Sequence, residues 1–173
     1  MLIRPETQQD QADVHALTCA AFQRDDEARL VDLLRDKHGE EAISLVAEIP
    51  GSGLAGHIML SPAPIVDEAG HVVSNGLALA PVSVDPAGQR SGVGSALCRS
   101  ALSCAQARGA PYVVLIGHPA YYPRFGFVPA GPLGIRCPYE GVPEEAFMIA
   151  RLDRPAMEGV SGLVRFDSVF EGL

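Results

Sequence analysis

Apolar positions along this 173-residue chain change period several times, and each change predicts an element. Residues 2–4 read as a short strand. Thr7 with Asp10 forms a helix-start signature, after which Val14, Leu17 and Phe22 recur at the spacing of one buried helical face. A second amphipathic helix is predicted over residues 25–37, carrying Leu30, Leu33 and Leu34, with Gly39 as its stop. From residue 43 to 84 the pattern becomes strand-like. Segments 43–49, 54–60 and 72–84 are separated by Pro- and Gly-rich turns, as an antiparallel meander requires. Helical periodicity returns near Ser91 and stops at Arg108 and Gly109, with Val93, Leu97, Ala101, Cys104 and Ala105 on one side. Residues 112–116 are an apolar run short enough for a buried strand, and a short helix near 120–124 and strands near 147–152 and 163–170 complete the series. The result is a mixed α/β chain without an internal repeat or linker, expected to form a single domain over residues 1–173.

Two features interrupt this regular pattern. Pro81 sits inside the third strand of the meander, where it has no N–H for a sheet ladder, so it belongs at an edge, a bulge or a place where strands part. We read a bulged strand that leaves backbone groups free for a ligand. Immediately after it, the chain runs Val82-Ser83-Val84-Asp85-Pro86-Ala87-Gly88-Gln89-Arg90-Ser91-Gly92-Val93-Gly94-Ser95. A strand ends, a polar turn follows, and a helix opens on two glycines and a serine. The first turn of a helix has four N–H groups without intrahelical partners and about half a unit of positive charge. Glycines let an anion approach those groups, and Arg90 adds a fixed charge, so the turn can hold a pyrophosphate. No Gly-Lys-Ser/Thr follows and there is no G-x-G-x-x-G, which excludes a P-loop and the dinucleotide fingerprint.

Composition narrows the classes further. With 47% apolar and 20% charged residues the chain is globular rather than disordered. A net charge of −8 and a pI near 5.0 argue against nucleic-acid partners, which require a basic face, and leave room for a cationic acceptor such as an amine. No run approaches the ~20 apolar residues of a membrane span, and the N-terminus lacks the apolar stretch of a signal peptide. Cys19, Cys98, Cys104 and Cys137 have no metal-like spacing. The expectation is a reduced, cytoplasmic protein that uses no metal.

The longer pattern is more specific than its glycines. Gln89-Arg90-Ser91-Gly92-Val93-Gly94, preceded by a V-x-V-D-P strand end, resembles the Q/R-x-x-G-x-G/A signature of the GNAT superfamily of acyl-CoA N-acyltransferases. Downstream, Tyr122 followed by Gly126-Phe127 resembles that superfamily's second signature. Gly56-His57-Ile58 and the run from Asp26 to Val31 are similar to a bacterial branch of predicted N-acetyltransferases. The resemblance covers nearly the whole chain. It implies a mostly antiparallel central sheet of six to seven strands flanked by about four helices, with the bulged strand splayed just before the pyrophosphate-binding helix.

It also implies roles. Val82, Ser83 and Val84 would pair with the pantetheine arm of acetyl-CoA through their backbone, with the Val82 N–H as first choice and Val84 as second for the thioester oxygen, their side chains pointing into the core. Gln89, Arg90, Ser91, Gly92, Val93, Gly94 and Ser95 would hold the pyrophosphate. Tyr122 occupies the general-acid position, with Tyr121 as a packing or acceptor-lining neighbour. His118 is a candidate for orienting pantetheine or for helix entry, and Arg124 for a coenzyme phosphate or a plain surface position. Glu27, Asp26 or a water chain would serve as base. The implied reaction moves an acetyl group to a primary amine, of a small molecule or a protein, by direct attack in a ternary complex. A non-catalytic acyl-CoA sensor is the rival reading, against which the retained Tyr122 argues. Homodimerisation through the C-terminal strands is compatible with the sequence, which displays no exposed stripe to specify it.

Overall fold

The computed structural model describes residues 1–172. Along the chain the elements are β1 (Leu2–Pro5), α1 (Gln11–Phe22), α2 (Asp26–His38), β2 (Ile43–Ile49), β3 (Gly53–Pro62), β4 (Ile65–Val66), β5 (Val72–Ser74), β6 (Leu77–Val84), α3 (Val93–Ala107), β7 (Tyr112–Ile116), β8 (Val128–Pro129), β9 (Ile135–Arg136), β10 (Phe147–Arg151) and β11 (Gly162–Val164). Short 3-10 turns join several of them. One sheet has the strand order β1-β2-β3-β6-β7-β10-β8, and a second has β5-β4-β11-β9. Pairing is antiparallel in β1–β2, β2–β3, β7–β10 and β8–β10, and parallel between β6 and β7. This is the mixed, mostly antiparallel α/β architecture expected from the resemblance.

The chain divides into two compact units. The first comprises Met1–Ser61, Leu79–Cys104 and the C-terminal residues from Ser168. Its helices α1 and α2 bury Val14, Leu30, Val31 and Leu34 with Val46 and Met59 of the sheet. Helix α1 starts where the sequence predicts. The Thr7 backbone N–H and hydroxyl both donate to Asp10 Oδ2, at 2.8 and 2.7 Å, and Arg4 grips the same carboxylate with two nitrogens. The Arg4 guanidinium holds the Asp10 carboxyl well below the usual carboxylate range. Two predicted core positions are instead exposed, Phe22 at 37% and Leu33 at 49%. Phe22 ends α1 where Gln23 turns left-handed (φ 58°), and the apolar stripe of α2 is completed by Ala28 and Val31, leaving Leu33 outside it.

A charged network lies within this unit. Arg35 of α2 donates to Glu6 (2.6 Å) and to Asp32 (2.7 Å), and Asp32 in turn meets His15 Nδ1 (2.7 Å). Ser44 on β2 donates to Glu6, and its oxygen lies 2.8 Å from Nε2 of the fully buried His57 on β3. Since the Ser44 proton goes to Glu6, the bond from His57 requires the Nε2–H tautomer. That leaves Nδ1 as a buried atom with no hydrogen-bond partner among the described residues. Burial alone would raise the Glu6 carboxyl, but hydrogen bonding by His57, Ser44 and Arg35 outweighs it and holds the group down at about 2. Burial likewise pushes His57 below its ordinary value.

The second unit, Pro62–Ala78 with Ala105–Asp167, is built on carbon. Tyr112, Val114, Ile135, Phe147, Ile149 and Met157 pack together, and the Tyr112 hydroxyl donates to the Ala63 carbonyl (2.7 Å). This residue explains why the single strand predicted over 72–84 is two. The Tyr112 ring lies where a Gly76 Cβ would stand, 2.4 Å from its nearest atom, and the hydroxyl also reaches the Ser74 carbonyl (3.3 Å). Asn75 and Gly76 therefore form a break instead of ladder. The last predicted strand, 163–170, shortens to Gly162–Val164 because Phe166 packs on Tyr139 and Phe147, while Val169 and Phe170 join the α1–α2 core through a 3-10 turn. The helix expected near 120–124 is a 3-10 turn, Tyr122–Phe125, so three α-helices are present among the described residues and not four. Pro119 and Pro123 bracket this segment, and Gly126 (φ 91°) ends it, leaving no room for an α-helical turn to repeat.

Candidate active site

In the first unit, β6 delivers the chain to the glycine-rich turn. The β6 ladder to β7 pairs Leu77 with Val113 and Ala78 with Val114; Pro81, three residues on, cannot donate to one. The Ala80–Pro81 peptide is cis. Beyond it, Ser83 is fully buried with its hydroxyl on Thr18 Oγ1 of α1 (3.1 Å), whereas Val82 and Val84 are only half-buried. The two valines, expected in the core, are thus not among its fully buried residues. A strand alternates its faces, and anchoring Ser83 to α1 turns its neighbours the other way. The Ser83 side chain is thereby committed to the interior, leaving only its backbone for a ligand. At the strand's end the Asp85 N–H donates to the Ala55 carbonyl of β3 (3.0 Å), and the Asp85 carboxylate accepts from the Ala87 N–H (2.8 Å), which shapes the turn at Pro86–Gly88.

The backbone then takes two left-handed steps, at Arg90 (φ 64°) and Gly92 (φ 92°). The first helical bond of α3 runs from the Ala96 N–H to the Gly92 carbonyl (3.0 Å). The N–H groups of Val93 and Gly94 precede it and have no carbonyl four residues back within the helix. Ser91 and Gly92 are exposed, Gly94 and Ser95 half-buried, and the Val93 side chain is buried. A Cβ at Gly92 would meet nothing within 4 Å, so the glycine serves its backbone angle and leaves open space over the helix end. Arg90 is exposed and has no carboxylate partner among the described residues. Gln89 is exposed and its side-chain amide reaches only to the Val84 carbonyl at 3.5 Å. Backbone donors, a helix end and one cation around open space fit a pyrophosphate.

The second unit carries Tyr122. Strand β7 ends at Ile116, and Gly117 follows, its missing side chain filled by the Tyr122 ring: a Cβ there would lie 2.4 Å from Tyr122 Cε2. Tyr121, Phe125 and Phe127 surround that ring edge-on, with centroids at 5.0, 6.4 and 5.8 Å. The ring is thus fixed on four sides and the side chain remains partly exposed. Sequence reasoning singled out Tyr122 and missed Gly117; a glycine directly at a strand exit was the available signal.

Other candidates fare differently. Arg124 folds back on its own turn, donating to the Tyr121 carbonyl (2.8 Å) and stacking on the Tyr121 ring (4.6 Å). His118 is exposed at the strand exit, where its carbonyl accepts from the Tyr121 N–H. Glu27 is buried and accepts from Arg24 Nε with both oxygens, at 3.1 and 2.9 Å, and Asp26 lies 3.5 Å from the same guanidinium. Either carboxylate, acting as a base, would have to compete with that pair. Among the described residues no three His, Cys, Asp or Glu side chains group as metal ligands, and no helix is long and apolar enough to cross a membrane.

Comparison with known proteins gives this geometry a context. The family model described as an acetyltransferase (GNAT) domain matches residues 2–130. An uncharacterized N-acetyltransferase of Escherichia coli K12, YhbS, is 35% identical over 170 residues, covering 98% of each chain. A crystal structure of E. coli YhbS in complex with CoA superposes with a TM-score of 0.87 at 33% identity, over 98% of this chain and 91% of that one. A Brucella melitensis GNAT family acetyltransferase in complex with acetyl-CoA gives a TM-score of 0.76 at 31% identity, over 98% and 97%. With a glycine-rich helix start, the expected sheet and full-length relatives in agreement, the chain belongs to the GNAT family of N-acetyltransferases.

Proposed function

We propose that this chain, acting as one N-acyltransferase domain in a reduced cytoplasmic setting, transfers the acetyl group of acetyl-CoA to a primary amine by direct attack in a ternary complex. The observation that carries this reading is the open start of α3, where the Val93 and Gly94 N–H groups open the helix beside Gly92, whose Cβ position is empty, and the exposed Arg90, which has no carboxylate partner among the described residues, stands two residues earlier. The CoA and acetyl-CoA complexes of the two relatives support it. Residues 89–95 take the pyrophosphate, chiefly through backbone donors. Residues 82–84, which lie beyond the Leu77 and Ala78 pairs with β7, offer the pantetheine arm their backbone groups. The Val82 N–H, with Val84 second, faces the thioester oxygen.

The residues then have modest chemistry to do. An alkyl ammonium of pKa about 10.4 is neutral roughly one part in 10³ at pH 7, so its proton must be removed, by Glu27, Asp26 or a water chain. Attack forms a tetrahedral oxyanion, which one positioned backbone N–H stabilises by a few kcal/mol. A thiol has a reference pKa near 8.5 and a tyrosine near 10, so complete proton transfer between groups at those reference values is uphill by about 2 kcal/mol. A hydrogen bond from the Tyr122 hydroxyl that becomes a transfer late in the step is the economical course. Calorimetric titration with coenzyme A, followed by thiol release against a panel of amines, tests the proposal. Absence of coenzyme A binding refutes the coenzyme site; binding without release on any amine favours a sensor.

A further inference from the structure

The Gly56-His57-Ile58 run has no part in the chemistry above, yet it sits at a junction of the coenzyme half. Gly56 lies in β3, and a Cβ built on it would stand 2.9 Å from Val93 Cγ1, 2.9 Å from Leu97 Cδ1 and 2.9 Å from the Ser83 carbonyl oxygen. The first two atoms belong to the opening turns of α3 and the third to the end of β6. Leu97 can swing a terminal methyl aside. Val93 is β-branched and stiff on a helix, and the Ser83 carbonyl is backbone, so neither yields without moving its element. On the next residue, pointing to the other face of the sheet, His57 is fully buried and tied through Ser44 to Glu6 and Arg35. The strand therefore cannot retreat from α3 without breaking that network. The Asp85 N–H, bonded to the Ala55 carbonyl, fixes the same strand end from one residue away.

We propose that Gly56 is a positioning residue: its bare backbone sets, at a single point, the height of the helix start that takes the pyrophosphate and of the strand end that takes the pantetheine arm. The inference rests on the coenzyme reading above. Because one residue touches both halves, a methyl group there displaces the two relative to each other, and a ligand that spans both loses more than the protein's stability alone would explain.

The test is a double-mutant cycle read by calorimetric titration with coenzyme A and by the melting temperature of the free protein. Titration of the unaltered chain comes first; if it does not bind coenzyme A, the coenzyme reading fails and not this inference. Given binding, Gly56→Ala should raise Kd about 10- to 100-fold, the scale of loss expected when a site is displaced by on the order of 1 Å. Adding Val93→Ala, which removes one of the two stiff contacts, should recover part of that affinity. The double variant should bind at least about threefold more tightly than the two single effects combined predict, without regaining the melting temperature of the unaltered chain. Unaltered affinity in a folded Gly56→Ala protein, or additive losses in the cycle, would overturn the proposal. If Gly56→Ala does not fold alone, Gly56→Ala/Leu97→Ala is compared with Leu97→Ala. The double should bind coenzyme A about tenfold more weakly, since Val93 and the Ser83 carbonyl still oppose the methyl, and equal affinity would overturn the inference.

Discussion

The two compact units solve the problem of burial differently. Asp10, Thr18, Glu27, His57, Ser61 and Ser83, the buried polar and charged residues among the described ones, all fall in the first unit. The second unit packs apolar side chains around Tyr112, whose hydroxyl finds a backbone carbonyl. Directional bonds fix one arrangement of α1, α2 and the strands beside them, whereas apolar packing around a single bonded hydroxyl fixes the second core. The candidate functional groups divide in the same way. The first unit offers backbone N–H groups whose usefulness depends on how closely elements approach. The second offers one side-chain oxygen held by an aromatic cluster. Removing a single atom should therefore damage the second, and adding a single atom should damage the first.

The largest effect is expected at Tyr122. Replacing Tyr122 with Phe keeps the ring in its cluster and removes only the oxygen. We expect turnover to fall about 10²–10⁴-fold where chemistry limits the rate, with acetyl-CoA affinity nearly unchanged. The loss should shrink with an acyl donor whose thiol has a lower pKa, and Tyr121→Phe should be much milder. Normal turnover of Tyr122→Phe with acetyl-CoA would remove the side-chain half of the comparison and return the proton to water, Tyr121 or the acceptor.

Addition of atoms tests the backbone half. Gly94→Val should weaken coenzyme A binding by about 10–100-fold, the loss of one or two charge-assisted bonds from the helix start, in a protein that still folds. Wild-type affinity in that variant would dismiss the cradle.

The contrast in burial predicts an asymmetric response to acid. Glu6 sits at about 2 in the folded protein against an ordinary value near 4.5, so its contribution is present above pH 4.5 and lost as pH falls towards 2. That contribution is on the order of 2–3 kcal/mol, since its side chain is only 5% exposed. His57, lowered by burial, acts in the same direction from near pH 6.5 downward, because the unfolded chain takes up the proton first. Melting temperature should fall with pH below about 6.5, steepening below 4.5, and Glu6→Gln should flatten the lower part of that curve. A curve for Glu6→Gln parallel to wild type would show that the network contributes no differential proton binding.

The smallest effect is expected at Arg90, whose charge is exposed and screened. Arg90→Ala should weaken coenzyme A binding by several-fold, and binding of a truncated pantetheine thioester, which lacks the pyrophosphate, hardly at all. Equal losses for the two ligands would make Arg90 a residue of the turn and not of the phosphate site.

How much of this was legible in the sequence depends on the range of the interactions involved. Short-range rules placed β2 and β7 to the residue and located α1, α2 and α3, because periodicity, the Thr7–Asp10 pair and the Gly39 stop act within a few positions. The strand–turn–helix spacing of residues 82–95 was readable for the same reason: a helix start needs only its own backbone to expose donors. Tertiary structure alone decided the rest. It broke the strand over 72–84 by laying the Tyr112 ring against Gly76, and by bonding Ser83 to Thr18 it left Val82 and Val84 on the opposite, half-buried face of the strand. It also gave Gly117 and Gly56 their reasons to be glycine, since each leaves space for a group distant in sequence or in another element. A pattern of apolar and polar residues reports which side of an element is buried. Which atoms meet there is fixed only when the elements pack.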